Sequence, residues 1–535
     1  MFTIYQATAV RYGKKYYFSW KLEGTGSQKN YRIRVFRDEH EVWDSGVVED
    51  FHRHNIACGC ELAPGARYVW TVECSSGDGG QAYARGNEFY TDIFGWTAEW
   101  IEPERVRKPI TDSKDPHEPV TDIAPIERLD PAIYFRREFM VDETKQSFLY
   151  ITAHGIYALW VNGELVSDLY APGFTSYAAR LEYQVLDVTK YLKTGANVIG
   201  AVVADGWYTG KIGAVGYGQQ YGTESALLFQ LMQGERVLVQ SDSFVKWNEG
   251  AYRYADLFVG EYYDANKEPA GWREVGFNDS AWRPVVLKKY GYDNLVLQTI
   301  PPVIATRSIT PCIILSPKGE MILDAGETIV GYVEWELALY EGDVVSLEHS
   351  EVLDENGDFL QNIIGHNKNQ QDYYVAAGNK TVHYHPLFTY HGFRYVRVEG
   401  TKEQDASHYR IWVVETPKED TGVFECSDDR LNKLQANIMR SQKGNMICIP
   451  TDCPQREKTG WTGDAQIYAP TACYEQDVEA FLRNWLVDMR SEQLEDGQIP
   501  HIEPYIPSHD YMKPPGIEGG IGSRLERCGG HPAVA

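Results

Sequence analysis

Cysteine is scarce in this 535-residue sequence: nine residues, an odd number, scattered along the chain. That usage does not make a disulfide framework, and Cys58 and Cys60, one residue apart, lack the spacing of a zinc knuckle. No run of about 18 apolar residues occurs, which excludes a membrane-spanning helix. Met1–Val10 has no basic stretch followed by an apolar one, so no signal peptide is expected. A reducing cytoplasm is the compartment these absences point to. Positive charge is also in deficit. Lys and Arg number 51 against 76 Asp and Glu, a formal net charge of −25, and no basic stripe with interleaved aromatics offsets it. Phosphates would be repelled, so nucleic acid is excluded as a partner. A neutral glycan is compatible with such a surface. Internal repeats and low-complexity segments are likewise missing.

The length calls for roughly three to five domains, because one hydrophobic core does not grow to this size. Aromatics are plentiful, with 36 Tyr and 14 Trp. Most must be β-sandwich core, and only a few can serve as platforms for a ligand. Over residues 1–95 the pattern alternates with period two at Tyr16–Leu22, Tyr31–Phe36, Glu41–Ser45 and Tyr68–Glu73, which predicts an immunoglobulin- or fibronectin-like sandwich. Strands resume over 99–287, read as a larger sandwich of jelly-roll type. Within it Tyr157–Val161 runs into Asn162-Gly163, a strong type I′ hairpin signal. A third β unit is predicted over 290–415, with strands at Tyr332–Leu339, Asp343–His349, Asp372–Val375 and Phe393–Glu399. Asp354–Asp358 lacks the glycine and glutamate placement of an EF-hand and reads as a hairpin turn. His383, His385 and His391 have no carboxylate or cysteine at ligand spacing, so no metal site is expected, and no cofactor.

Near residue 420 the period changes to helical, opening a unit over 420–535. Ser427 is a plausible N-cap for a helix carrying Leu431, Leu434 and Ile438. Val478, Phe481, Leu482, Trp485, Leu486 and Met489 form a second, core-facing stripe. Between them lies Thr451–Gln466, TDCPQREKTGWTGDAQ, with three carboxylates (Asp452, Glu457, Asp464) and Trp461. Pro454 and Gly460 oppose a continuous helix there, so the acids converge only if the segment folds as a loop. Converging carboxylates raise one another's pKa and can keep one protonated as a general acid. Glu457 is the candidate acid, with Arg456 and Lys458 expected to point away from it. Asp452 and Asp464 suit the gripping of sugar diols. A Gly/Pro loop rich in acids is also what a solvated surface loop looks like, but an indole outside any core stripe has a poor packing rationale there.

At DCPQRE (Asp452–Glu457) and GWTGDAQ (Gly460–Gln466) the sequence resembles the bacterial α-L-rhamnosidases, inverting glycoside hydrolases of family 78. Ala171–Tyr177 (APGFTSY), Asp205–Gly210 (DGWYTG) and Pro386–Gly400 (PLFTYHGFRYVRVEG) are similar to segments of the same family's β domains. The resemblance implies β-sandwich domains followed by an (α/α)6 six-hairpin barrel. It implies Glu457 as general acid and Asp452, Arg456, Trp461 and Asp464 as rhamnose-binding residues. The partner it implies is a rhamnose-containing glycan, with a homodimer as a further expectation.

An inverting hydrolase needs a second carboxylate roughly 6.5–9.5 Å from the acid, which the family carries far downstream in the barrel. Glu503 and Glu518 are nearby acids, but neither matches that base motif. Ser523–Ala535 (SRLERCGGHPAVA) has little periodicity, and one codon choice for it, read one base later, encodes AGWSDAAVIPPW, similar to the family's sequence at this point. The expectation is therefore a chain cut short within its barrel by an out-of-frame tail. Such a chain would hydrolyse little and leave the Val478–Met489 face partly uncovered. The alternatives are a non-catalytic carbohydrate-binding remnant of the family and a six-hairpin glycosidase for another sugar.

Overall fold

The computed structural model describes residues 2–12, 15–24, 27–93, 95–109, 123–214, 216–363 and 369–507. Glu518 and the 523–535 tail lie outside the described residues.

Strict alternation along Arg67–Ser76, every second side chain buried, makes this strand the spine of the first β unit. It pairs with Gln28–Arg37 on one side and Gln81–Tyr90 on the other. This sheet packs on the hairpin Phe2–Tyr12/Lys15–Gly24 around Phe18, Trp20, Ile33, Val35, Trp70 and Val72.

The next unit stacks a seven-stranded sheet on a six-stranded one. Phe148–His154 and Ala226–Gln233 are central to the first, Ile133–Val141 and Gly195–Ala204 to the second. Phe148–His154 is buried throughout and Gly195–Ala204 is buried from Asn197 on, both mostly apolar, whereas Ile133–Val141 carries Arg136, Arg137 and Glu138. The hairpin at 162–163 forms as predicted, both residues taking positive φ, 51° and 89°. Val161 pairs with Glu164 across it.

A ten-stranded sheet follows, organised by the 19-residue strand Met321–Leu339. That strand pairs with His391–Glu399, across an irregularity between Asp324 and Ile329, and over Gly331–Trp335 with Tyr409–Glu415. Asp354–Gly357 closes a small hairpin, Val352 opposite Leu360. The two large β units exchange strands. Tyr252–Asp256 and Gly260–Asp264 join the ten-stranded sheet through Tyr262 opposite Tyr373, and Leu295–Leu297 pairs back onto Leu181–Asp187.

Three helices come next: Asp429–Gly444, Thr462–Glu475 and Glu479–Ser491. The first is capped by Asp428, whose side chain accepts from the Arg430 amide, and not by Ser427, one residue earlier. The second was not expected. Pro470 sits inside it and no apolar stripe marks it, for Ile467 and Tyr474 are each 80% exposed. The third carries the predicted stripe, but that face is covered rather than open. Val478, Phe481 and Leu482 close on Ile300, Met446 and Ala472, and Trp485 and Met489 join the core that also holds Phe174 and Tyr177. Exposed apolar side chains lie on the first two helices, at Leu431, Leu434, Ile467 and Tyr474, and on the third at Val487, outside the predicted stripe.

Buried charge locks the third helix to the sandwich. Arg180 grips Asp488 with both ends of its guanidinium, at 2.9 and 2.5 Å, and reaches the Asn484 side-chain oxygen at 2.6 Å. Among the described residues no helix is long and apolar enough to cross a membrane.

Candidate active site

The segment 451–461 has no regular secondary structure except where it feeds the second helix, as Pro454 and Gly460 require. It is folded back on itself by its own backbone. The Asp452 amide donates to the Thr459 carbonyl at 3.1 Å and the Lys458 amide to the Cys453 carbonyl at 3.1 Å. Two close approaches clamp it from outside. A Cβ on Gly392 would lie 2.8 Å from Cβ of Gln455 and 3.2 Å from its amide nitrogen, so only glycine lets the loop lie on this strand. A Cβ on Gly460 would collide with the Glu503 carbonyl, and the Glu503 amide donates to the Gly460 carbonyl at 2.8 Å.

Glu457 stands on this loop with 17% of its side chain exposed. The indole Nε1 of half-buried Trp461 donates to Glu457 Oε2 at 2.8 Å, coupling the acid to the aromatic face. Trp461 also opens the second helix and forms a bridge with Ile502. Asp464 is exposed in the first turn of that helix, where the helix dipole favours an anion. Asp452 is the carboxyl that burial pushes up, to about 6; the Cys453 thiol, donating to it at 2.8 Å, works against the shift, and the neighbouring Glu457 charge adds to it.

The flanking cations divide. Exposed Arg456 turns toward Glu457, its Nε 3.7 Å from Oε1, contrary to the expectation that it would point away. Lys458 does point away: its left-handed backbone, φ 50°, sends the side chain inward, where its ammonium donates to the carbonyls of Leu257 and Tyr390. Glu503 is fully buried, accepts from the Ser176 hydroxyl at 2.9 Å, and burial holds its carboxyl well above the usual range.

The histidines sort differently from their spacing. His383 is exposed beside Glu334 at 3.4 Å, and His385 stacks on Tyr332. His391 is fully buried and does meet a carboxylate, Asp372, at 3.0 Å, with His349 stacked on it at 4.0 Å. Their donor atoms lie within 4.8 Å of one another. The Lys458 charge bears on all three groups and opposes a cation there. No pattern in the sequence links positions 349, 372 and 391, which only the sheet brings together. The aromatics of the family-like segments at 171–177 and 205–210 are core: Phe174 stacks on Trp207 at 5.9 Å, and Tyr177 meets Tyr208 edge-on at 5.3 Å.

Four family models match the chain in order. They are the Rha78A-like, N-terminal immunoglobulin domain over 8–93, the alpha-L-rhamnosidase N-terminal domain over 142–307, the bacterial alpha-L-rhamnosidase concanavalin-like domain over 314–415, and the bacterial alpha-L-rhamnosidase 6 hairpin glycosidase domain over 419–516. An alpha-L-rhamnosidase of Streptomyces avermitilis is 38% identical over 400 residues, 72% of this chain and 38% of that protein. One from Formosa agariphila is 30% identical over 92% of this chain and 55% of its own length. The chain thus spans roughly half or less of these relatives. Among solved structures, the rhamnosidase of Aspergillus terreus superposes with a TM-score of 0.83 at 30% identity, covering 94% of this chain and 60% of that one. The Streptomyces avermitilis enzyme complexed with L-rhamnose superposes with 0.82 at 27% identity, covering 95% and 66%. With β-sandwich units leading into a six-hairpin glycosidase domain, in the order of the four models, the chain belongs to the bacterial α-L-rhamnosidase family.

Proposed function

We propose that this chain is a glycoside hydrolase of α-L-rhamnosidase type, in which Glu457 protonates the bridging oxygen of a terminal α-L-rhamnosyl group. The observation that carries the reading is the hydrogen bond from Trp461 Nε1 to Glu457 Oε2, which presents an acid and an aromatic face together on a partly exposed loop. Asp452, Arg456 and Asp464 belong to the same loop and helix start, and their part is to hold hydroxyls of the sugar. A rhamnose-containing glycan or glycoside is the proposed partner. The described cysteines are all free thiols, Cys58 and Cys60 with sulfurs 3.7 Å apart, which supports a reducing, cytoplasmic setting.

Among the described residues no carboxylate is assigned as the water-activating base of an inverting hydrolase. Glu503 is unsuited to it, being buried and engaged with Ser176. That observation favours, as a second reading, a chain that binds the sugar but turns it over weakly. Release of chromophore from an aryl α-L-rhamnoside and calorimetric binding of L-rhamnose separate the two. The expected outcome is measurable binding with weak turnover, and Glu457→Gln removing the turnover while leaving the binding. Hydrolysis that survives Glu457→Gln would remove Glu457 from the role of acid, and vigorous turnover by the unaltered chain would overturn the second reading.

A further inference from the structure

The residue after the acid is the most deeply placed cation of the loop. Lys458 is 2% exposed, its ammonium donates to the Leu257 carbonyl and, at 2.7 Å, to that of Tyr390, and it stands 4.1 Å from the centre of the Tyr390 ring. Leu257 follows the strand Tyr252–Asp256, and Tyr390 immediately precedes the strand His391–Glu399. One side chain therefore ties the loop to two separate strands of the ten-stranded sheet.

A buried ammonium needs a buried counter-charge, since an unpaired ion in the interior is strongly destabilising. Asp372, 2% exposed, is pushed up to about 6 by burial, and the Lys458 charge works against that shift. Its position is set by the Glu261 amide at 3.0 Å and by His391 Nε2 at 3.0 Å. His349 backs His391 and donates through Nδ1 to the Gln370 carbonyl at 2.9 Å. Burial, together with the Lys458 charge, keeps both imidazoles neutral, so the set carries one positive and one negative charge.

We propose that Lys458 is a positioning residue: by bolting the loop to the Leu257 and Tyr390 carbonyls, with Asp372 as its counter-ion, it sets the direction in which Glu457 and Trp461 face the sugar. The proposal rests on the reading of Glu457 and Trp461 as the sugar-facing pair. A residue that only supplied stability would be replaceable by any charge-neutral pair, whereas a pin would not.

The test compares Lys458→Met with the charge-balanced double variant Lys458→Met/Asp372→Asn in the full chain. Thermal unfolding, amide hydrogen exchange over 452–461 and calorimetric affinity for L-rhamnose are read for each. Lys458→Met alone is expected to lower the unfolding temperature, because it strands Asp372. The double variant is expected to recover most of that temperature. Its loop amides should still exchange about ten-fold faster than in the parent, and its rhamnose affinity should stay about ten-fold weaker, the scale of a lost charged hydrogen bond. Recovery of loop protection and affinity along with stability would overturn the positioning role, and failure to recover the unfolding temperature would overturn the pairing with Asp372. Should the unaltered chain bind no rhamnose, the proposed function fails, while the exchange arm still decides whether Lys458 pins the loop.

Discussion

At the scale of single residues, the site is a matter of close approach. Gly392 carries no chemistry, yet the loop bearing Glu457 rests on its bare Cα. Gly392→Ala would force Gln455 outward, and because the obstructing atoms are Cβ and backbone they cannot swing aside. Overpacking of this kind costs about 1–3 kcal/mol, to be read by denaturant unfolding, with rhamnose affinity falling in parallel. A Gly392→Ala protein with unchanged stability would show that the loop is free to shift. That Glu457 and Trp461 share one folded loop was legible in the sequence, because Pro454 and Gly460 oppose a continuous helix through the segment. The inward turn of Lys458 was not. A lysine between an acid and a threonine reads as solvated, and its burial depends on carbonyls 201 and 68 residues away in the chain.

At the scale of elements, the period of the side chains carried most of the information. Alternation located four strands of the first unit but not Phe2–Tyr12 or Gln81–Tyr90, and the 3.6-residue stripe located the helix Glu479–Ser491. The helix Thr462–Glu475 escaped because its exposed Ile467 and Tyr474 and internal Pro470 leave no stripe to read. Exposure separates the two apolar faces energetically. Phe481→Ala, at 2% exposure, is expected to cost about 3–5 kcal/mol. Leu434→Ala, at 53%, should change stability by no more than about 0.5 kcal/mol. Urea titration of both variants checks the contrast, and equal losses would mean that the first helix face is covered in solution.

At the scale of the whole molecule, buried polar groups join the units. Arg180 ties the larger sandwich to the third helix through Asp488, and Lys21 of the first unit reaches Asp477 and Glu479, each at 2.8 Å. Asp92, at the end of the first unit, accepts from the Tyr183 hydroxyl of the larger sandwich, and burial pushes its carboxyl up to about 7. The folded value lies above the unfolded one of about 3.9, so the folded chain holds this proton longer. Its contribution is complete below the unfolded value and is lost as pH rises through 7. Unfolding temperatures measured from pH 5 to pH 8 should therefore decline more in the parent than in Asp92→Asn, whose amide is neutral throughout. Identical profiles would remove Asp92 as the source.

Taken by itself, the sequence determined most of the strands, the helices at 429–444 and 479–491, and that three acids and an indole share one Gly/Pro-punctuated segment, because period and local turn chemistry are short-range properties of the chain. The tertiary structure alone decided that Arg456 faces the acid while Lys458 is buried, that Glu503 is sealed inside, and that the Val478–Met489 face is covered. Each of those outcomes depends on which atoms from distant strands fill the space around a side chain, and pairing of that range leaves no mark on the spacing of neighbouring residues.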